Sequence, residues 1–173
     1  MEYMFMPLKR YAEFSGRSRR MEYWMWVLFQ VLLGIGFSVL MMIVGGAALM
    51  GGGSPSAMIA AGGGVLILYA LYLLLCLAFV IPGIAVGVRR LHDTNRSGWW
   101  LLAPLAGYAV MFIGTGMVAS GSTGTGGILA MVGGIAALVM AIILIVFMFL
   151  EGTKGPNQYG PDPKGGVDAQ VFA

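Results

Sequence analysis

The chain has 173 residues, of which 59% are hydrophobic and only 10% are charged. A soluble domain has about 25% charged residues, so the composition excludes a conventional water-soluble protein. The net charge is +3, and every charged side chain lies in one of three clusters, within residues 1–22, 89–96 and 151–168. The stretches between the clusters, 23–88 and 97–150, are free of charge. Surface helices of a soluble fold need a polar face, so these stretches predict an all-α integral membrane protein.

The first segment, residues 1–23, precedes the first predicted membrane helix. Its apolar side chains recur at helical spacing while its basic ones fall elsewhere; the apolar residues are Leu8, Tyr11, Ala12 and Phe14. This pattern predicts a short interfacial helix on the membrane surface, ended by Ser15 and Gly16. A basic tether beside the membrane, without a ligand, is the alternative interpretation.

Each charge-free stretch is long enough for two crossings of a roughly 30 Å hydrocarbon core, since one crossing takes about 20 residues. Runs rich in glycine and serine mark the turns, at 51–56 and 62–64 in the first stretch and at 120–127 in the second. We therefore predict a four-transmembrane-helix bundle, whose helices span residues 24–46, 65–88, 98–118 and 128–150. The chain then forms a single membrane domain, 1–173, with residues 151–173 as an irregular tail rich in glycine and proline.

The basic residues indicate the orientation in the membrane. They fall before the first predicted helix, between the second and the third, and after the fourth. With four crossings these segments share one side, and the positive-inside rule makes that side the cytoplasm. The tryptophans prefer the headgroup level and lie at helix ends on the same side; they are Trp24, Trp26, Trp99 and Trp100. We therefore expect both termini in the cytoplasm.

The predicted helices contain no ionisable acid, base or histidine. Such groups usually mark ion pathways, so a coupled ion transporter is disfavoured, whereas a passive pore built by oligomerisation stays open. Pro82 predicts a kink in the second helix, and small residues four apart, such as Gly83 and Gly87, predict close helix contacts. The single cysteine, Cys76, excludes an intrachain disulfide.

The densest group of polar residues is the loop between the second and third helices. Its arginines, Arg89, Arg90 and Arg96, are suited to a bidentate grasp of phosphate or carboxylate. His92 beside Asp93 suggests acid–base chemistry, but no serine or cysteine nucleophile accompanies them, so no catalytic residue is assigned. One histidine with scattered carboxylates lacks metal-ligand spacing, so neither a metal nor a cofactor is expected.

Three carboxylates, Glu22, Asp93 and Glu151, lie near predicted helix ends. Glu151 follows a helix C-terminus, where the helix dipole disfavours an anion and a nearby arginine is expected. We predict that the three carboxylates pair with arginines of the other clusters and lock the helix ends together. Arg90 with Glu151 is one candidate pair.

Three motifs occur in order along the chain, at residues 14–24, 89–100 and 155–161. They read FSGRSRRMEYW, RRLHDTNRSGWW and GPNQYGP. In these motifs, over nearly its whole length, the chain resembles the bacterial inner-membrane family called domain of unknown function 805, although Asn95 stands where that family often has glycine. The resemblance implies a small multi-spanning inner-membrane protein and brings no established activity, substrate or cofactor. It directs attention to a shared cytoplasmic face of Arg17, Arg20, Glu22, Arg89, Arg90, His92, Asp93, Arg96 and Trp99.

The leading functional hypothesis is a non-enzymatic module whose basic, tryptophan-flanked face binds anionic lipid headgroups or a membrane-protein partner, including a second copy of the chain. Each basic residue near an anionic surface contributes about 1 kcal/mol. The candidate face comprises Arg17, Arg20, Arg89, Arg90, His92, Asp93, Arg96 and Trp99. Two alternatives stay open: a small-solute transporter or channel subunit, and an enzyme that acts on a lipid-linked substrate through His92 and Asp93. No nucleic-acid partner is expected.

Overall fold

The structure is a computed structural model that describes residues 2–50 and 55–165. Within these residues the chain forms five α-helices and one 3-10 helix. They are α1 Glu2–Lys9, α2 Arg20–Met50, α3 Pro55–Asp93, the 3-10 helix Gly98–Leu102, α4 Ala103–Ala119 and α5 Thr123–Phe149. Four helical segments are long and apolar enough to cross a membrane: Arg20–Gly46, Gly62–Asp93, Gly98–Ala119 and Thr123–Phe149. The predicted class, an all-α protein with four long apolar helices, is confirmed.

The first two long helices extend beyond their predicted bounds of 24–46 and 65–88. Helix α3 begins at Pro55, because proline has no N–H to lose and its ring presets the helical φ angle at the first position. The glycine run 62–64, predicted as part of a turn, lies inside α3. Glycine is tolerated there because it is commoner in transmembrane helices than in soluble ones. The rest of the predicted turn includes residues 51–54, which lie outside the described residues.

The predicted turn at 120–127 is also shorter in the structure, where only residues 120–122 separate α4 from α5. Gly121 makes the reversal with φ +97°, which glycine adopts without strain. The third predicted helix, 98–118, opens as a 3-10 helix before α4 begins. Pro104 lies in the first turn of α4, where its missing N–H costs no intrahelical hydrogen bond.

The N-terminal helix is shorter than predicted, since α1 ends at Lys9 rather than at Ser15 and Gly16. Two contacts hold the next residues in a turn instead of a further helical turn. Arg10 forms an ion pair with Glu13 at 2.6 Å. The Tyr11 hydroxyl donates a 2.6 Å hydrogen bond to a backbone carbonyl of α3.

The chain divides into two compact units. One unit comprises Met1–Glu13 and Trp24–Ala85. Aromatic contacts hold this unit together: Phe5 with Phe29 at 5.4 Å between ring centroids, Trp26 with Phe79 at 5.3 Å, and Phe37 stacked on Tyr72 at 3.9 Å. Contacts between aromatic rings therefore join α1 to α2 and α2 to α3.

The other unit comprises Phe14–Tyr23 and Val86–Ala173. Within it, α4 and α5 pack antiparallel with their backbones almost in contact. A Cβ atom on Gly107, Gly114 or Gly133 would lie under 3.0 Å from backbone atoms of the opposite helix. Lipid supplies no hydrophobic drive for helix association, so close packing through small residues takes its place. Large apolar side chains on the outer faces stay exposed, for example Phe112 at 68%, as expected of a surface that meets lipid.

Candidate functional site

The candidate site lies entirely in the second unit, where three chain segments meet: residues 14–23, the end of α3 with the loop after it, and residues 148–163. Backbone hydrogen bonds join the segments directly. The Ser18 N–H donates to the carbonyl of Arg89 at 3.1 Å, and the Thr153 N–H donates to the carbonyl of Asp93 at 2.9 Å. Parts of all three charged clusters of the sequence thus meet within this unit.

Arg89 is fully buried and is held by the N-terminal segment. Its Nη2 lies 2.9 Å from Glu22 Oε1, and its Nε donates to the Ser18 hydroxyl at 3.0 Å. Glu22 is also buried, at 3% exposure. Burial of two charges is tolerated only when they are paired and hydrogen-bonded, and Arg89 and Glu22 meet that condition.

Asp93 lies between two arginines. Arg17 Nη2 is 2.9 Å from Asp93 Oδ1, and Arg90 Nη1 is 2.5 Å from Asp93 Oδ2. The backbone of Gly152 closes over this carboxylate, because a Cβ atom on Gly152 would lie 2.6 Å from Asp93 Cγ. Glycine is therefore required at residue 152 for the tail to cover the ion pairs. We call Arg17, Glu22, Arg89, Arg90 and Asp93 the buried arginine cluster.

The remaining donors of the buried arginines reach backbone carbonyls. Arg17 donates to the carbonyls of Thr153 at 2.5 Å and Gly155 at 2.7 Å. Arg90 donates to the carbonyl of Met148 at 3.2 Å and also to that of Leu150. These last carbonyls lie at the C-terminus of α5, where helical carbonyls lack intrahelical partners, so Arg90 caps that helix. The guanidinium groups of the cluster are thus engaged inside the protein.

A fourth ion pair of this site is exposed. Arg20 Nη2 lies 2.9 Å from Glu151 Oε1, and the two side chains are 40% and 68% exposed. Such a pair contributes about 0–1 kcal/mol, because water and salt screen it. Glu22, Asp93 and Glu151 each have an arginine partner from another segment. The candidate pair of Arg90 with Glu151 is wrong, since Arg90 takes Asp93 and Arg20 takes Glu151.

His92 and Asp93 are neighbours in sequence but have different partners. His92 Nδ1 lies 3.2 Å from the carbonyl of Gly16, to which it must donate because a carbonyl only accepts. The imidazole stacks on the Tyr159 ring at 3.8 Å with 3° between the planes. Asn157 donates to the carbonyl of His92 at 2.9 Å. The motif of residues 155–161 therefore contacts His92, while the Asp93 carboxylate forms ion pairs with Arg17 and Arg90.

Arg96 has a different environment from the buried cluster. Its Cζ lies 4.0 Å from the centroid of the Phe147 ring, and one Nη donates to the carbonyl of Thr94 at 3.3 Å. Trp100 meets the same Phe147 ring edge-on at 5.4 Å, and Trp99 is 78% exposed. Among the described residues, no carboxylate lies within ion-pair distance of Arg96. We call Arg96, Trp99, Trp100 and Phe147 the Arg96 platform.

The turn before the platform depends on Asn95. This residue has φ +57°, the left-handed conformation that asparagine tolerates better than most side chains. The family that the chain resembles often has glycine at this position, and glycine and asparagine both adopt this left-handed backbone. The turn is followed by Ser97, whose hydroxyl accepts from the N–H of Trp99 and caps the 3-10 helix.

Several residues that shape the site had no role in the sequence analysis. They are Phe147, Gly152, Asn157 and Tyr159. Asn157 and Tyr159 lie inside the quoted motif of residues 155–161, but the sequence did not show which residues they contact. Phe147 lies in an apolar run, and nothing in the sequence indicated a role at the site. Contact with Arg96 is visible only after folding.

Comparison with known proteins identifies the relatives of this chain. The family model described as Protein of unknown function (DUF805) matches residues 11–161. Inner membrane protein YhaI of Escherichia coli (strain K12) is 34% identical over 166 residues, which cover 96% of this chain and 98% of the relative. Inner membrane protein YhaH of the same strain is 32% identical over 164 residues, which cover 95% of this chain and 98% of the relative. No solved structure matches the chain.

Proposed function

The chain belongs to the DUF805 family, whose relatives are named inner membrane proteins, and from this premise we propose that it is a non-enzymatic inner-membrane module that binds anionic lipid headgroups. The binding surface is the Arg96 platform. The buried arginine cluster holds together the segments that carry this platform, and it does not contact the lipid.

The observation that carries the proposal is the environment of Arg96. The arginines of the buried cluster donate to carboxylates, backbone carbonyls and the Ser18 hydroxyl, and Arg20 pairs with Glu151. Arg96 instead lies over the Phe147 ring, and its one hydrogen bond among the described residues goes to the carbonyl of Thr94. Stacking on an aromatic ring restrains a guanidinium while leaving N–H donors for phosphate oxygens. A phosphate diester of a lipid headgroup is the anion that this arrangement fits.

The tryptophans support the depth at which the platform lies. Trp99 and Trp100 are exposed at the beginning of the span Gly98–Ala119. An exposed tryptophan at the end of a membrane helix favours the headgroup layer, where its ring is apolar and its N–H stays hydrated. Arg96, three residues earlier in the chain, then lies at the level of the lipid phosphates.

The proposal includes an orientation with the platform and both termini in the cytoplasm. The basic segments before α2, between α3 and α4, and after α5 favour this orientation by the positive-inside rule. A green fluorescent protein fused to the C-terminus tests it, because the fusion fluoresces when it folds in the cytoplasm. A dark fusion with an active periplasmic reporter at the same position would reverse the orientation.

The binding test compares two matched charge removals, Arg96→Gln and Lys154→Gln. Lys154 is an exposed cation of the same unit that contacts no aromatic ring among the described residues. Wild-type protein and both variants are extracted in polymer nanodiscs, and native mass spectrometry measures retained phosphatidylglycerol and cardiolipin against phosphatidylethanolamine. Removal of one basic contact of about 1 kcal/mol lowers anionic retention roughly five-fold, so Arg96→Gln is expected to show at least this loss.

The control variant decides whether the binding is specific. Lys154→Gln is expected to retain the lipid, and Arg96→Lys to lose part of it because lysine keeps the charge but not the planar fork. Equal losses in Arg96→Gln and Lys154→Gln would indicate general attraction to an anionic surface and would contradict the proposed site. Retention of a protein instead of a lipid, lost in Arg96→Gln, would replace the lipid by a protein partner.

A further inference from the structure

Helix α3 contains a backbone carbonyl that the helix itself leaves without a donor. Pro82 has no N–H, so the carbonyl of Ala78, four residues earlier, loses its intrahelical hydrogen bond. The hydroxyl of Tyr11 donates to this carbonyl at 2.6 Å. The donor that the proline ring removes is therefore supplied by the N-terminal segment, 67 residues away in sequence.

The surroundings of this bond show that the N-terminal segment is packed and not loosely attached. Pro7 in α1 and Pro82 in α3 are both among the fully buried side chains. The Phe5 ring meets Phe29 of α2 edge-on at 5.4 Å. All of these residues belong to the same compact unit, so the bond is one part of a continuous contact.

A second observation places a spare donor beside the proline. Trp26 is 1% exposed, and its Nε1 is the one buried side-chain polar atom without a partner among the described residues. A Cβ atom on Gly83, the residue after Pro82, would lie 3.5 Å from this nitrogen. Buried polar groups are usually hydrogen-bonded, so an unpaired donor here marks a place where the bonding is incomplete. The proline and the unpaired donor thus mark the same part of this unit as one with incomplete hydrogen bonding.

We infer that residues 2–13 form a strap that holds α3 at Pro82, with the bond from Tyr11 to Ala78 as its latch. When the latch is closed, the Ala78 carbonyl has a donor from the strap. When it opens, the Ala78 carbonyl is left unpaired and α3 is free to change its bend. The latch thus acts on α3 within the compact unit that holds both Tyr11 and Ala78.

The test is a double-mutant cycle read by limited proteolysis with trypsin at Lys9 and Arg10, within the strap. Tyr11→Phe removes only the hydroxyl. One lost hydrogen bond makes opening about 3–10-fold more favourable, and cleavage follows the open population when closing is fast. We expect Tyr11→Phe to be cleaved faster by this factor. Tyr108→Phe, which removes an exposed hydroxyl from α4, is the control and is expected to be silent.

Pro82→Ala provides the second arm of the cycle. Alanine restores the N–H that bonds the Ala78 carbonyl within the helix, so Tyr11→Phe is expected to cause no further acceleration in this background. Any direct effect of phenylalanine on trypsin cancels, because it is the same in both backgrounds. Rates are taken on the monodisperse fraction, and Pro82→Val repeats the measurement with more of the buried volume retained.

Two results would overturn the inference. If Tyr11→Phe leaves the cleavage rate unchanged in the wild-type background, the bond does not hold the strap. If it accelerates cleavage equally with Pro82 present and with Pro82 replaced, the hydroxyl acts independently of the proline. Loss of lipid retention in Arg96→Gln is measured separately, so failure of the strap and failure of the proposed lipid site are distinguishable.

Discussion

Gly133 and Gly134 are neighbours in α5 and provide a matched test of the contact between α4 and α5. A Cβ atom on Gly133 would lie 2.8 Å from the carbonyl oxygen of Gly107 and 2.8 Å from the Cα of Met111. A Cβ atom on Gly134 would meet only the sulfur of Met111, at an ordinary contact distance of 3.6 Å. Alanine at the two positions therefore differs in packing and in little else.

The expected magnitude follows from two opposing effects. Replacement of glycine by alanine in a helix interior gains about 0.8–1.0 kcal/mol of helix propensity at both positions. At Gly134 this gain is expected to stand. At Gly133 overpacking costs about 1–3 kcal/mol, and we expect the upper end because the neighbours are backbone atoms that cannot rotate away. Since the propensity cancels, the difference between the variants measures the overpacking alone.

The assay is unfolding in mixed micelles of increasing sodium dodecyl sulfate, followed by circular dichroism. Gly134→Ala is expected to be at least as stable as the wild type and Gly133→Ala clearly less stable. Gly126 and Gly127 repeat the comparison, because a Cβ on Gly126 would lie 2.7 Å from the N of Val118 whereas one on Gly127 meets nothing within 4 Å. Equal stability within both pairs would refute the close backbone contact.

Three further outcomes are expected at the candidate site. Asp93→Asn leaves two buried arginines without their carboxylate, so it should cost about 3–5 kcal/mol in the same unfolding assay, whereas Glu151→Gln at the exposed pair should cost no more than about 1 kcal/mol. Gly152→Ala should release the tail from Asp93, seen as faster proteolysis after residue 152, because its Cβ would overlap that carboxylate. Hydrogen bonds from the backbone N–H groups of Lys164 and then Gly155 hold the pKa of Asp162 below its usual range. The stabilisation that ionised Asp162 gives the tail is therefore complete above the ordinary carboxyl pKa of about 4, and it is lost as the pH falls through the lower pKa of the folded protein. Hydrogen exchange of residues 155–165 should become faster over this pH range. In Asp162→Asn this pH dependence should be absent.

The four long helices were predictable because hydropathy and charge are local and additive along the chain. A stretch such as 23–88, without a charge, has only one favourable environment, whatever its neighbours are. The predicted bounds failed where glycine was taken to interrupt a helix. In α5 the glycines at 126 and 133 instead permit contact with α4, and this role depends on a partner that residue-by-residue patterns do not contain.

The sequence by itself determined the class of protein, the approximate spans and the three segments that carry charge, since each depends on composition within a short window. Only the tertiary structure decided which charged side chains are buried in ion pairs inside the protein. Arg89 and Arg96 have the same side chain and lie seven residues apart, yet one is buried against Glu22 and the other rests on Phe147. Their difference comes from segments more than 50 residues away in the chain, brought near by folding. The latch at Ala78 also depends on the tertiary structure. The sequence shows that Pro82 lacks an N–H donor, but only the fold shows that the Tyr11 hydroxyl supplies one.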